Sequence, residues 1–376
     1  MRIGYDLRPF LKEETGVGVY FKNLLFHLAE IDKENEYFLF TSSFKDRFIR
    51  SQIPPFEKKQ FKDFMIPVKA VNYFWYRLNW PPLDYLFKTK LDISHSPTPL
   101  ILPTKGKKIV TICDLFFMDF PKLTDKDSRS RFAQKIDSSL EKADGIITIS
   151  NYTKKQILQR FELNESKVKV IYLGVEEKYG ENISRNDVQK IKRRYSLPSN
   201  FLLFTGSLEP RKNVLKLVDA LKLIHKEHHH VGLVLVGKKG RDYNKVKDKV
   251  KQENLDSWVK IIGYVSEKEL KSLYKAASVF VFPSLCEGFG LPVLEALASG
   301  LPAVVSDNSA FPEIAEDCAL YFNSQNAEEV AEKIIKIWKD KTLRKKLQEL
   351  GKKRAEQFSW KRTADETLKY YKLVLG

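Results

Sequence analysis

Cysteine is scarce: Cys113, Cys286 and Cys318 are the only three in 376 residues, and their spacing forms no framework. That excludes a disulfide-stapled secreted domain and leaves free thiols in a reducing cytoplasm as the expectation. Long apolar runs are missing too. None approaches the ~20 residues needed to cross a bilayer, and the opening MRIGYDLRPF reads as a strand and turn, without the apolar stretch of a signal peptide. Histidine or cysteine pairs spaced as in structural zinc sites are absent. His228, His229 and His230 are consecutive and point in different directions, and His27 and His225 read as helix-surface or packing residues, so no metal is expected. Acidic residues are in deficit, 48 Asp and Glu against 65 Lys and Arg, for a formal charge of +17. No recognisable nucleic-acid module goes with that charge, so nucleic acid is not the expected partner.

What is present describes a folded protein: 43% hydrophobic and 30% charged residues, over a length that suits two ordinary domains. The positive charge has a local concentration. Residues 45–90 carry ten Lys or Arg against four Asp or Glu, interleaved with Phe56, Phe61, Phe64, Tyr73, Phe74, Trp75, Tyr76, Trp80, Tyr85 and Phe87. Lysines beside large amphipathic rings suit an anionic membrane surface and a peripheral location on its inner face. The alternative is a domain insertion with a solvated basic face and an ordinary core.

Strand and helix patterns alternate along the chain, which predicts parallel sheets covered by helices. The first series reads as strands at Arg2 to Asp6, Tyr37 to Thr41, Leu91 to His95, Lys108 to Ile112, Gly145 to Ser150 and Val168 to Leu173, with helices including Asp127 to Lys142 and Tyr152 to Phe161. The apolar pattern lapses from Glu176 to Asp187, which reads as a linker. A second series has strands at Phe201 to Gly206, Gly232 to Gly237, Val259 to Val265, Val279 to Pro283, Ala303 to Ser306 and Leu320 to Phe322. Its helices are expected at Asn213 to Lys226, Glu267 to Ala276, Leu291 to Ala298 and Ala327 to Lys339, and an amphipathic helix closes the chain from Ser359 and Trp360 to Leu375.

The most informative stretch is Ser278 to Gly300, SVFVFPSLCEGFGLPVLEALASG. A buried strand ends at Pro283-Ser284, a loop carries Glu287, Gly288, Phe289 and Gly290, and a helix starts at Leu291-Pro292 with Glu295 inside it. The glycines let the backbone approach a ligand, and the free N–H groups of a helix start favour phosphate. Carboxylates beside an anion site suit hydroxyl partners, since each accepts two charge-assisted hydrogen bonds from a vicinal diol. Phosphate in the middle and polyol at both ends describes a nucleotide sugar. The plainer alternative is a strand, turn and helix whose acidic first turn complements the helix dipole.

The motif E-G-F-G-L-P-x-L-E-A-L-A-x-G resembles the signature of the family 4 retaining glycosyltransferases, and the resemblance runs from Met1 to the last helix. It implies an α/β GT-B fold, two Rossmann-like parallel-sheet domains facing an interdomain cleft. Residues 1–176 would form the acceptor domain and 177–358 the donor domain, with a helix at about 359–376 packing back onto the first. By the same resemblance Arg211 and Lys212 grip the donor diphosphate, Glu295 holds the ribose diol, and Glu287 meets hydroxyls of the transferred sugar. The backbone of Gly288, Phe289, Gly290 and Leu291, with Gly206 and Ser284, lines the donor, and Val265 in Gly263-Tyr264-Val265 flanks the base. Gly16, Val17 and Gly18, after Thr15, form a loop beside phosphate or acceptor, although a G-x-G also fits a simple tight turn. Ser150 matches a position near the cleft and equally fits a helix cap.

One departure concerns the sugar pocket. Cys113-Asp114 stands where many relatives have His-Asp, and cysteine is a weak hydrogen-bond donor. Either the pocket suits a 6-deoxy sugar or a neighbour replaces the contact, and His95 is the candidate neighbour, with a packing histidine as the other reading. Asp125-Lys126-Asp127 is a D-x-D, yet it precedes a helix in a polar loop, where aspartates cap.

The pattern is nearest to bacterial mannosyltransferases of surface-polysaccharide synthesis. It implies hexose transfer from a GDP-linked or UDP/dTDP-linked donor, mannose from GDP-mannose first, to a glycan or lipid-linked acceptor, without cofactor or metal. A 6-deoxyhexose such as rhamnose is the alternative donor sugar. A GT-B sugar-nucleotide epimerase would need acid–base residues that the sequence does not supply convincingly. A dinucleotide dehydrogenase would need a third glycine after Gly16-Val17-Gly18.

Overall fold

The structure, a computed structural model, describes residues 1–10, 16–44, 52–124 and 132–376. Thr15, the first part of the basic segment (residues 45–51) and the Asp125-Lys126-Asp127 motif with the start of its expected helix lie outside the described residues. The chain divides into two compact units, Met1–Gly174 with Ser359–Gly376, and Val175–Phe358.

The first unit is built on a seven-stranded sheet: β1 Arg2–Asp6, β2 Glu36–Ser42, β3 Lys59–Phe64, β4 Ile93–Ser96, β5 Lys107–Ile112, β6 Gly145–Thr148 and β7 Val168–Val170. Its order is β3-β2-β1-β4-β5-β6-β7, and every pairing is parallel. Strand β3 adds to the expected strands; KQFKDF sits on the sheet edge and has no apolar alternation to mark it. The residues expected as a glycine loop, Gly16-Val17-Gly18, are instead the first turn of the helix Gly16–Ile31. The aromatic run also divides. Phe56, Trp75 and Phe87 are buried, whereas Tyr73, Phe74, Trp80 and Tyr85 are exposed.

His95 lies in the core, fully buried, as the centre of a chain of hydrogen-bonded side chains. Its Nδ1 is 2.5 Å from the Tyr371 hydroxyl and its Nε2 is 2.8 Å from Thr111 Oγ1. The Tyr371 hydroxyl pairs with that of Tyr5 at 2.7 Å, and Thr111 with Tyr20 at 3.0 Å. Both ring nitrogens are therefore engaged, and burial pushes the imidazole pKa down to about 3. The assignment of His95 to a sugar pocket is corrected: a neutral ring with two core partners has no nitrogen left for substrate. His95→Ala is expected to cost about 2–3 kcal/mol by removing one buried hydrogen bond each from the Tyr371 and Thr111 hydroxyls and leaving a cavity. Thermal unfolding should register that loss, while the affinity for nucleotide sugar stays unchanged. Tyr371 sits on the last helix, Trp360–Leu375, whose Tyr370 hydroxyl also donates to Lys167 O at 2.7 Å.

The second unit carries a six-stranded sheet: β8 Asn200–Thr205, β9 Val231–Val236, β10 Val259–Gly263, β11 Val279–Phe282, β12 Ala303–Ser306 and β13 Ala319–Phe322. The order is β10-β9-β8-β11-β12-β13, again parallel throughout. Strand β11 is buried on both faces, which is why it reads as an unbroken VFVF rather than an alternating run. The expected linker is also revised. Tyr179, in the turn Glu177–Tyr179, is buried against Tyr274 of the same unit, and a helix begins at Arg185.

Candidate functional site

In the second unit the chain order reverses between the neighbours β8 and β11. In an open parallel sheet, ligands bind off the strand C-termini at such a reversal. Strand β8 leads into Gly206 to Lys212, and β11 leads into Pro283 to Gly290, so the two loops are brought together by the sheet. A backbone hydrogen bond ties them, from Leu285 N to Arg211 O at 2.8 Å.

The side chains meet on one carboxylate. Glu287 Oε1 accepts from Lys212 Nζ at 2.7 Å and from the Ser284 hydroxyl at 2.7 Å, and Glu287 Oε2 accepts from Arg211 Nη1 at 2.9 Å. Lys212 and Glu287 are 6% and 8% exposed, so this pair is largely out of water, while the Arg211 side chain is half-buried. Lys212 Nζ also lies 4.7 Å from the centroid of the Phe282 ring. Burial alone would raise the Glu287 pKa; the charges of Arg211 and Lys212, with hydrogen bonds from Lys212 and Ser284, outweigh it and hold it down at about 2. Two cations against one carboxylate leave a net positive charge at the loop. Glu287, expected at sugar hydroxyls, here accepts from both cations and from Ser284.

The helix Leu291–Ala298 begins immediately after, and Gly290 makes the turn into it with φ +102°. A Cβ there would stand 2.8 Å from a carbon of the Phe311 ring, so both backbone and packing require glycine. The ring of the neighbouring Phe289 is buried, 5.8 Å from that of Phe358. Gly288 is buried and Leu291 half-buried.

Glu295, on that helix, is half-buried among phenols. Tyr274 OH donates to its Oε2 at 2.8 Å, and Tyr179 supplies a second hydrogen bond. Burial pushes the carboxyl up to about 7; the two phenols act against that, and the charges of Glu176 and Glu267 add to it. Lys178 pairs with both Glu176 and Glu267. Neither Tyr179 nor Tyr274 stood out in sequence. Tyr274 looks like one more apolar-face residue of Glu267–Ala276, and Tyr179 falls in the polar stretch after the first sheet.

Of the other expected positions, Gly206 directly follows β8, with its N–H bonded to Val236 O at 2.8 Å. Val265 is buried, while Tyr264 beside it is exposed, with Lys238 Nζ 5.9 Å from its ring. In the first unit Ser150 is a helix cap, accepting from Thr153 N at 3.1 Å. The Cys113 carbonyl accepts from Thr153 Oγ1 at 3.2 Å, and burial together with Asp114 pushes its thiol well above the usual range. Asp114 Oδ1 accepts from Phe116 N at 3.1 Å. Among the described residues no three His, Cys, Asp or Glu side chains gather as a metal ion would need.

Two family models match the chain in succession, Glycosyltransferase Family 4 over residues 15–179 and Glycosyl transferases group 1 over residues 187–354. The chain is a glycosyltransferase, assembled from these two family domains in that order. This glycosyltransferase is 28% identical over 394 residues to O-antigen chain mannosyltransferase B of Escherichia coli, covering 100% of both chains. Its fold is that of sucrose-phosphate synthase from Thermosynechococcus elongatus, with a TM-score of 0.79 at 19% identity over 99% of this chain and 98% of that one. Anabaena HepE, solved in complex with UDP-glucose, matches with a TM-score of 0.75 at 17% identity over 98% and 99%. The two Rossmann-like units are thus the GT-B class. Among its described residues no helix is long and apolar enough to cross a membrane.

Proposed function

We propose that this glycosyltransferase moves mannose from GDP-mannose onto a glycan or lipid-linked acceptor of a surface polysaccharide, with retention of anomeric configuration and without a metal ion. The observation that carries the reading is the pairing of Arg211 and Lys212 on Glu287 at the C-terminal ends of β8 and β11. Cations held there stabilise the negative charge that grows on a departing diphosphate. Glu295, farther along the helix Leu291–Ala298, offers carboxylate oxygens to a ribose diol. The relative in Escherichia coli, an O-antigen chain mannosyltransferase by name, supports mannose and a polysaccharide acceptor.

The reaction breaks the bond from the anomeric carbon to the β-phosphate oxygen and forms one to the acceptor oxygen. The acceptor proton passes to the departing phosphate oxygen on the same face. Arg211 and Lys212 stabilise that oxygen, so the protein contributes positioning and electrostatics more than acid–base chemistry. A second reading, a 6-deoxyhexose donor, draws on Cys113, a weak hydrogen-bond donor in place of a histidine.

The test is a panel of nucleoside-diphosphate sugars scored by transfer and by the anomeric configuration of the product. GDP-mannose turnover with retention, unaffected by chelator, is the expected result. Preference for a 6-deoxy donor would move the reading to the second alternative. Inversion, epimer formation, or loss of activity with chelator would each remove the corresponding part.

A further inference from the structure

Among the described residues eleven large hydrophobic side chains stand exposed, and eight of them fall between Phe44 and Tyr85 in the first unit. The helix Val68–Tyr73 and the wider turn Phe74–Leu78 that continues it organise this concentration. Val71 and Trp75 point inward, packed with Phe38, Phe40 and Leu83. The outward positions are Lys69, Tyr73, Phe74, Arg77 and Leu78, at the spacing of a single helical face. The segment is thus apolar on both sides. One side is used by the core, and three large apolar groups with two cations are left outside.

The flanks extend the same chemistry. Met65 and Ile66 precede the helix and Trp80 follows it, and all six apolar side chains of this face are between 40% and 60% exposed. Tyr73 and Phe74 meet edge to face at 5.7 Å, and the Arg77 guanidinium lies 6.0 Å from the Tyr73 ring, so the cation is set beside the aromatic surface. From Met65 to Trp80 there is no acidic residue. Segment 64–66 is itself fixed, because the Ser42 hydroxyl bonds the carbonyls of Phe64 and Ile66 at 2.7 and 2.8 Å. Hydrogen bonds thus anchor the start of this face to β2.

We infer that the face built by Met65, Ile66, Tyr73, Phe74, Leu78 and Trp80, with Lys69 and Arg77, seats the protein on an anionic lipid bilayer. Tyr and Trp carry an apolar body and a polar tip suited to the headgroup boundary, and Lys and Arg complement the anionic surface. A partner protein of opposite charge would leave the mixture of aromatic rings and cations less well matched than a bilayer, which offers apolar depth and negative surface together.

The full-length protein should co-sediment with vesicles of phosphatidylcholine mixed with phosphatidylglycerol, and less with phosphatidylcholine alone. Raised salt should weaken the binding. The charge reversal K69E/R77E is expected to lower the partition at least tenfold, since each cation near an anionic surface is worth about a fivefold change. Y73S/F74S/L78S should lower it on both kinds of vesicle. Unchanged thermal unfolding and nucleotide-sugar binding will show that the variants are folded. Equal recovery with and without the anionic lipid overturns the proposal. So does a wild-type dimer that the triple variant dissociates while vesicle binding is absent, because the face would then meet a second copy.

Discussion

Lys212→Ala should reduce kcat by roughly 10²–10³-fold, the loss typical of removing one preorganised group that stabilises developing charge. The same substitution should destabilise the second unit by about 3 kcal/mol, because it leaves the buried Glu287 carboxylate with Arg211 as its remaining cation. These two effects have different origins and can be parted. In K212A/E287Q the uncompensated charge is gone, so thermal stability should largely return while kcat stays low. Recovery of activity in the double variant would show that Lys212 merely keeps Glu287 in place. The sign of the acid response follows from the same pair. The Glu287 pKa is lowered from 4.5 to about 2, so its contribution to stability is present above 4.5 and lost as pH falls through about 2. A stability profile of E287Q should be flatter over that window.

Donor affinity should rise with pH around neutrality. The Glu295 carboxyl is pushed up to about 7 in the free protein, so it passes from mostly protonated to mostly ionised across that value. Only the ionised group accepts charge-assisted hydrogen bonds from both hydroxyls of a ribose diol. If the diol selects the carboxylate, affinity falls by up to about tenfold per pH unit below the pKa. Calorimetric titration with a nucleotide sugar, whose diphosphate is esterified at both ends and does not itself titrate here, reads this directly. E295Q should bind weakly at every pH and lose the slope. Tyr274→Phe removes a hydrogen bond that favours the carboxylate, so its midpoint should move to higher pH. A flat wild-type profile, or a slope that persists in E295Q, rules the assignment out. Folding stability should move the other way. A carboxyl raised above 4.5 contributes most below that pH, and the contribution is lost as pH rises through about 7.

The sequence made some of this legible and hid the rest for physical reasons. Strands such as VFVF of β11 announce themselves because both faces are buried, and the helix Leu291–Ala298 follows from Pro292 and its apolar side. The edge strand β3 and the helix Arg185–Arg194, whose only buried residue is Ile191, carry too little apolar pattern to register. At the site, Glu287 and Glu295 were visible as a spacing, but their opposite electrostatics were not. One is held at about 2 by cations that arrive 75 and 76 residues away in sequence. The other is raised to about 7 among buried phenols, of which Tyr179 comes from a stretch that reads as linker. His95 shows the converse error. A histidine at a strand end looks available until Tyr371, 276 residues later, is seen to occupy it.

That same link bears on how the polypeptide matures during translation. The second unit is one continuous stretch, Val175–Phe358, and has all its parts as soon as that stretch leaves the ribosome. The first must wait for Ser359–Gly376, since Tyr371 completes the line of bonds from Tyr5 through His95 to Tyr20. The unit begun earliest is therefore finished last, and a nascent chain halted before the final helix would hold a complete second unit and an unsealed first one.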